Sequence, residues 1–292
     1  MIAPLPDLLL RPLVTAALAE DLGLAGDITT ELIAADRHAT AAIVARQGGV
    51  CCGLDLARLS FASLDEAVEF RPSCHDGESV TAGMTLATVR GCARSLLSGE
   101  RVALNYMTHL SGIATATAAM VAEIRRVKGG ESVRLSCTRK TLPGLRMVQK
   151  YAVRCGGGSN HRFGLFDAIL LKDNHLALMG SPAAAVAMAR QRVGHLVGIE
   201  IEVDRLDQLD ELLSAAVKPD VVLLDNMSPD QLRLAVGMRL AKGCLSVLFE
   251  ASGGVQLSTV AELAATGVEI ISAGWLTHSS RGLDIGLDFR AD

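Results

Sequence analysis

The stretch "GIEIEVDRLDQLDELLSAAVKPDVVLLD", residues 198–225, contains two short apolar runs on either side of a longer amphipathic segment. "GIEIEV" and "VVLLD" have strand length and β-branched character, whereas "DRLDQLDELLSAA" carries its leucines at helical spacing. Strand, helix, strand in so few residues is a βαβ unit, and such units build parallel sheets.

The same rhythm extends outward from residue 133 to the last third of the chain. Further strand candidates are "SVRLS" (132–136), "AILLK" (168–172), "LSVLFEA" (245–251) and "EIISAG" (269–274). Helical segments lie between them, several opening on Ser or Asp caps, and one closes at Gly267. This repetition predicts an α/β barrel or a doubly wound sheet. Residues 1–112 read differently. Helical patterns at 7–20 and 54–64 flank "TAAIVAR" (40–46), and "HDGESVTAGMTLATVRG" (75–91) alternates apolar and polar residues between glycine turns. That pattern predicts an α+β sandwich. The first lysine of the chain is Lys128, so the glycine-punctuated hairpin has no amine to carry a prosthetic group. A long helix over 99–128 joins the two parts, with Gly112 read as a bend between them.

Composition narrows the function classes. With 292 residues, half of them hydrophobic, the chain can bury a large core. A net charge of -4 gives no long-range attraction to nucleic acid or anionic membranes, and nine aromatic residues provide few stacking platforms for bases. No nucleic-acid or membrane partner is expected. The N-terminal apolar residues lack a basic leader and are broken by Arg11 and prolines, so a cytoplasmic location is expected. The seven cysteines form no CxxC pair and read as buried free thiols.

Parallel α/β folds gather their chemistry at the C-terminal ends of strands. Here those ends carry Arg139 with Lys140, then Lys172, Glu202, Asp225, Glu250 with Ser252, and Gly274 with His278. Between Arg134 and Lys172 stand eight Lys or Arg against the single acid Asp167. Arg146, Lys150 and Arg154 share one helical stripe and read as a solvated face or an interface. Arg139, Lys140, Arg162 and Lys172 sit at strand or glycine-turn ends and are the candidates for an anion pocket, since guanidinium groups bind carboxylates and phosphates bidentately. "EASGG" (250–254) and "SAGWLTHS" (272–279) place glycines before predicted helices in the last two βα loops, where barrel enzymes hold phosphate. Glu202 and Asp225, opposite in sign, suit sugar hydroxyls or a hydrated Mg²⁺, or else simple pairing with Lys140 or Lys172. A Schiff-base lysine at position 172 is a further reading, which the surrounding arginines disfavour.

Nine stretches in order, "EDLGLAGDITT", "ERVALN", "HLSGIAT", "TRKTLPGLR", "KYAVRCGGGSNHR", "LLKDNH", "VVLLDN", "EASGG" and "LTHSSRGLDIGLD", span residues 20–288. Through them the chain resembles the quinolinate phosphoribosyltransferase family. The resemblance implies an incomplete, open α/β barrel over 113–278 with an N-terminal α/β sandwich over 1–112 that residues 279–292 complete. It implies a pentosyltransferase joining quinolinate to phosphoribosyl pyrophosphate, with Mg²⁺, to give nicotinate mononucleotide, CO₂ and pyrophosphate in NAD biosynthesis.

Position by position, it assigns the quinolinate carboxylates to Arg139, His161, Arg162 and Lys172, with Arg101 entering from the neighbouring subunit of a homodimer or larger assembly. Phosphoribosyl pyrophosphate falls to Lys140, Lys172, Glu202, Asp225, Ser252, Gly253, Gly274 and His278. Lys140, Lys172, Glu202 and Asp225 take the catalytic roles, and Glu202 and Asp225 hold the metal. Cys137 departs from the family pattern, which commonly has an acid just before "TRKT", and so puts the support of Arg139 in question. A related branch, the molybdenum-transport-associated proteins, is the alternative; it departs from the "NHR" and "KDNH" patterns present here.

Overall fold

The computed structural model describes residues 2–290. The chain forms two compact units. One contains the chain up to Ala118, Thr141–Gly157 and the chain from Leu276 onward; the other contains Ala119–Lys140 and Gly158–Trp275.

The second unit is the repeating half of the sequence. All six expected strands form, and all pair in parallel, in the order Arg134–Ser136, Ile270–Ser272, Leu248–Ser252, Val221–Asp225, Ile199–Val203, Ile169–Leu171. Helices return the chain between strands. Pro182–Arg192 and Pro229–Ala241 each begin with proline directly after a serine cap, whose hydroxyl accepts the Ala184 or Gln231 amide. Proline needs no amide partner there and its fixed φ already suits a helix. The Leu206–Ser214 helix buries Leu209, Leu212 and Leu213, and the adjoining strand buries Ile199, Ile201 and Val203. Each such leucine contributes on the order of 1.5–3 kcal/mol.

The parallel sheet is barrel-like but open. Beyond Arg134–Ser136 the ladder gains only a bridge at Ser159, whose amide donates to the Leu135 carbonyl (2.7 Å) and whose carbonyl accepts the Cys137 amide (3.2 Å). The chain then crosses residues 160–168 to reach Ile169–Leu171, the opposite edge.

In the first unit a four-stranded antiparallel sheet runs in the order Ile285–Arg290, His38–Ala45, Thr85–Cys92, Glu69–Pro72. The alternation in "TAAIVAR" turns Ala41, Ile43 and Ala45 into one core. They join Leu54, Ala57 and Phe61 of the helix Leu54–Ala62 and Leu96, Leu104 and Met107 of the helix Ala93–Arg125.

Three sequence expectations change here. The compact units do not follow one cut at residue 112: Thr141–Gly157 belongs with the first unit. Gln149 is fully buried there, bonded to the Leu142 amide, the His109 ring (2.8 Å) and the Thr277 carbonyl (2.8 Å). Gly112 lies inside the uninterrupted 33-residue helix, and a Cβ on it would lie 2.1 Å from the Arg281 carbonyl oxygen, so the glycine answers a close backbone approach. Of the Arg146, Lys150 and Arg154 stripe, Lys150 is fully buried and Arg154 exposed, so the stripe is not one solvated face. None of the seven cysteines is in a disulfide, and all but Cys92 are buried.

Candidate active site

Alternate residues of a strand point to the same face, so the inward side of the parallel sheet can be read two residues at a time. Leu170 with Lys172, Leu223 with Asp225, and Glu250 with Ser252 all line one cavity of about 590 Å³, together with Glu202. Arg139, Lys140, His161, Arg162 and Gly253 complete the expected residues on its wall, and Thr138, Asn226, Gly254 and Ser272 lie beside them. Nine of the twelve residues that the family resemblance assigns thus meet in one unit, with Glu250 and Gly254 beside them.

Charge is divided across the cavity. Lys172 Nζ lies 3.0 Å from Glu202 Oε2, with the lysine half-exposed, so Glu202 does pair with a lysine, although both still face the cavity. Asp225 accepts a hydrogen bond from Asn226 (2.7 Å). Arg162 donates through Nη1 to the Ala168 carbonyl (3.0 Å), which ties its guanidinium across the opening of the sheet. The Nε atoms of Arg139 and Arg162 are buried without a protein partner. Burial first, and the charge of Arg139 next, hold the Arg162 guanidinium below its ordinary pKa. Two neighbouring guanidinium groups, each with a buried and unpartnered Nε, form a site prepared for anions.

The glycines act at short range. Gly253 has φ +91°, and a Cβ there would lie 2.1 Å from Asn226 Oδ1. The helix after it, Val260–Ala264, starts six residues past Gly254, so this turn does not open directly on a helix terminus as expected. Gly274 does precede a helix, Trp275–His278, but it does not line the cavity. Its missing side chain makes room for Lys140, whose Cδ would lie 2.9 Å from a Cβ at that position.

Below the cations lies a group that the sequence reading did not assemble. His161 Nε2 is 2.8 Å from Glu200 Oε2 and 3.8 Å from Glu250 Oε1, and all three side chains are close to fully buried. Burial, then the charge of Glu200, pushes the Glu250 carboxyl up to about 7. The available signal was the spacing in "GIEIEV": Glu200 lies two residues before Glu202, so it points to the same inward side one layer deeper.

Models of the quinolinate phosphoribosyl transferase N-terminal and C-terminal domains match residues 27–111 and 113–288. The chain belongs to the quinolinate phosphoribosyltransferase family. A probable nicotinate-nucleotide pyrophosphorylase (carboxylating) of Bacillus subtilis is 43% identical over 279 residues, covering 96% of this chain and 93% of that protein. The Mycobacterium leprae nicotinate-nucleotide pyrophosphorylase (carboxylating) is 44% identical, covering 95% and 96%. Among solved structures, the nicotinate-nucleotide pyrophosphorylase from Francisella tularensis superimposes with a TM-score of 0.91 at 38% identity, covering 99% of each chain.

Two residues that the family resemblance assigns lie outside this cavity lining, in the first unit. Arg101 is exposed on the helix Ala93–Arg125, its nearest acid, Glu100, 3.9 Å away. His278 is exposed, its Nδ1 2.6 Å from the Ser279 hydroxyl. The buried Cys137 thiol donates to Asn160 Oδ1 (3.3 Å). No helix among the described residues is long and apolar enough to cross a membrane.

Proposed function

We propose that this chain transfers the phosphoribosyl group of phosphoribosyl pyrophosphate to quinolinate, with loss of CO₂ and pyrophosphate, giving nicotinate mononucleotide for NAD biosynthesis. The observation that carries this reading is a single cavity in a net acidic protein, faced by Arg139, Lys140, Arg162 and Lys172 on one side of the charge balance and by Glu202 and Asp225 on the other. Two multiply charged anions that react at a developing cationic centre need both signs together. Family membership and the names of the relatives support it over the molybdenum-transport-associated alternative.

Arg139, Arg162 and Lys172 bind the quinolinate carboxylates and leave the ring nitrogen free to attack C1 of the ribose. Lys140, Ser252, Gly253 and Gly254 hold phosphate oxygens, the glycines by letting the backbone approach closely. As C1–O bond breaking runs ahead of bond making, Glu202 and Asp225 stabilise the positive charge on the ribose, and Lys140 and Lys172 stabilise the departing pyrophosphate. After transfer, the adjacent carboxylate departs as CO₂, its electron pair stays on C2 where the cationic ring nitrogen stabilises it, and a proton from solvent completes the C2–H bond.

Glu202 and Asp225 also fit a magnesium ion: both are hard oxygen donors facing the cavity from adjacent parallel strands. When bound there with substrate phosphates, Mg²⁺ neutralises the pyrophosphate charge. The exposed Arg101, its side chain 64% accessible, supports a homodimer or larger cytoplasmic assembly in which it enters the neighbouring site.

The test is to incubate the purified protein with quinolinate, phosphoribosyl pyrophosphate and Mg²⁺ and to quantify nicotinate mononucleotide and CO₂. Both products should appear, and nicotinate in place of quinolinate should give neither. Absence of product with quinolinate would refute the assignment.

A further inference from the structure

The site needs Arg162 at one angle, yet residues 160–168 cross the open edge of the sheet, where no strand ladder holds them. What holds this crossing comes from the barrel interior. His161 sends its ring inward until Nε2 meets Glu200, on the strand Ile199–Val203, with Glu250, on Leu248–Ser252, close behind. These two strands are separated by Val221–Asp225, so the ring is anchored well inside the sheet.

The other ring nitrogen fixes the proton. His161 Nδ1 accepts the Arg162 backbone amide at 2.8 Å, which requires a lone pair at Nδ1 and places the proton on Nε2, where it is donated to Glu200. A metal shared by His161, Glu200 and Glu250, whose ligand atoms all lie within 4.8 Å of one another, would need that Nε2 lone pair. Nδ1 cannot serve a substrate carboxylate as a donor while it accepts from Arg162.

Resting on the quinolinate reading above, we propose that His161 is a positioning residue: Glu200 and Glu250 anchor its neutral ring, and the ring holds the Arg162 backbone so that the guanidinium faces the diacid. Arg162 completes the clamp from its other end, through Nη1 to the Ala168 carbonyl, and Asp167 gathers the Phe163 and Gly164 amides in the same turn. His161 therefore acts through Arg162 and makes no bond to substrate.

Two measurements test this. In the ligand-free protein, nitrogen-15 histidine spectra at neutral pH should include a neutral ring protonated at Nε2 that is lost in His161→Asn. An imidazolium, or a ring protonated at Nδ1, overturns the proposal whether or not the protein uses quinolinate. The second is a calorimetric cycle of quinolinate binding with His161→Ala, Arg162→Ala and the double variant. His161→Ala should weaken binding about tenfold in the wild-type background and less than about twofold once Arg162 is gone. An undiminished effect in the Arg162→Ala background makes His161 an independent substrate contact and refutes the proposal. Glu200→Gln keeps an acceptor for Nε2–H and should bind within a fewfold of wild type, whereas Glu200→Leu should match His161→Ala. Equal losses in both Glu200 variants overturn the anchoring role. If His161→Ala does not fold, His161→Asn replaces it in the cycle. A wild-type protein that binds no quinolinate refutes the functional reading alone, since the ring spectrum still reports the anchor.

Discussion

Replacing Glu250 by Gln should change how stability depends on pH. The carboxyl is almost fully buried beside Glu200, which raises its pKa from 4.5 to about 7. In the unfolded chain it titrates at its ordinary value, so between these limits the native state binds more protons than the unfolded state. Stability contributed by the protonated group is therefore complete below 4.5 and lost as pH rises through about 7. At about 1.4 kcal/mol per pKa unit, the loss is about 3 kcal/mol, with little solvent screening at so buried a position. Gln keeps the shape and cannot ionise. Urea unfolding followed by circular dichroism at about pH 5 and pH 8 would measure the difference between wild type and Glu250→Gln. Because pH 5 already lies above the unfolded value, that difference should move in favour of the variant by about 2.5 kcal/mol between the two conditions. Asp76, raised by burial, and His109, lowered by burial, also titrate on unfolding, but they are present in both proteins and cancel. A difference that stays constant to within about 0.5 kcal/mol would show that Glu250 is ionised in the native state throughout, and would refute the reasoning.

Other perturbations separate the site from the scaffold. Arg139→Ala should lower kcat/KM for quinolinate by about 2–5 kcal/mol in transition-state stabilisation, and a steady-state change below tenfold would remove it from the pocket. Gly253→Ala combines a strained φ with a clash against Asn226, so KM for phosphoribosyl pyrophosphate should rise at least about tenfold and the thermal midpoint should fall by a few degrees. Gly112→Ala, away from the cavity, should cost about 1–3 kcal/mol in urea unfolding with KM little changed, because the opposing Arg281 carbonyl is backbone and cannot rotate away. Pairing Arg101→Ala chains with Lys172→Ala chains should restore partial activity if subunits share sites; mixed assemblies as inactive as either parent would exclude sharing.

The parallel strands were legible because runs such as "VVLLD" and "GIEIEV" are apolar, β-branched and short, and the helices between them carry their own caps. The cationic wall was legible for the same reason: strand ends in this architecture converge, so Arg139, Lys172 and Asp225 could be grouped without coordinates. The placement of Thr141–Gly157 was not legible, since nothing local in an amphipathic segment says which unit it will join. Gly112 was misread because sequence records a missing side chain but not the backbone that fills the space. Glu200 escaped attention because it sits one pleat deeper than the strand ends, where an acid stands only with a partner, and that partner, His161, comes from a segment far away in sequence.

The two larger sheets take their last strand in sequence from residues 270–290. Arg134–Ser136 pairs with Ile270–Ser272, and His38–Ala45 pairs with Ile285–Arg290. During synthesis, each unit must therefore wait with an unmet ladder edge until residues 270–290 emerge from the ribosome, a long-range closure that slows folding and exposes sticky strands to aggregation. Lesions that remove residues 270–290 should thus be as damaging to recovery of native protein as earlier ones.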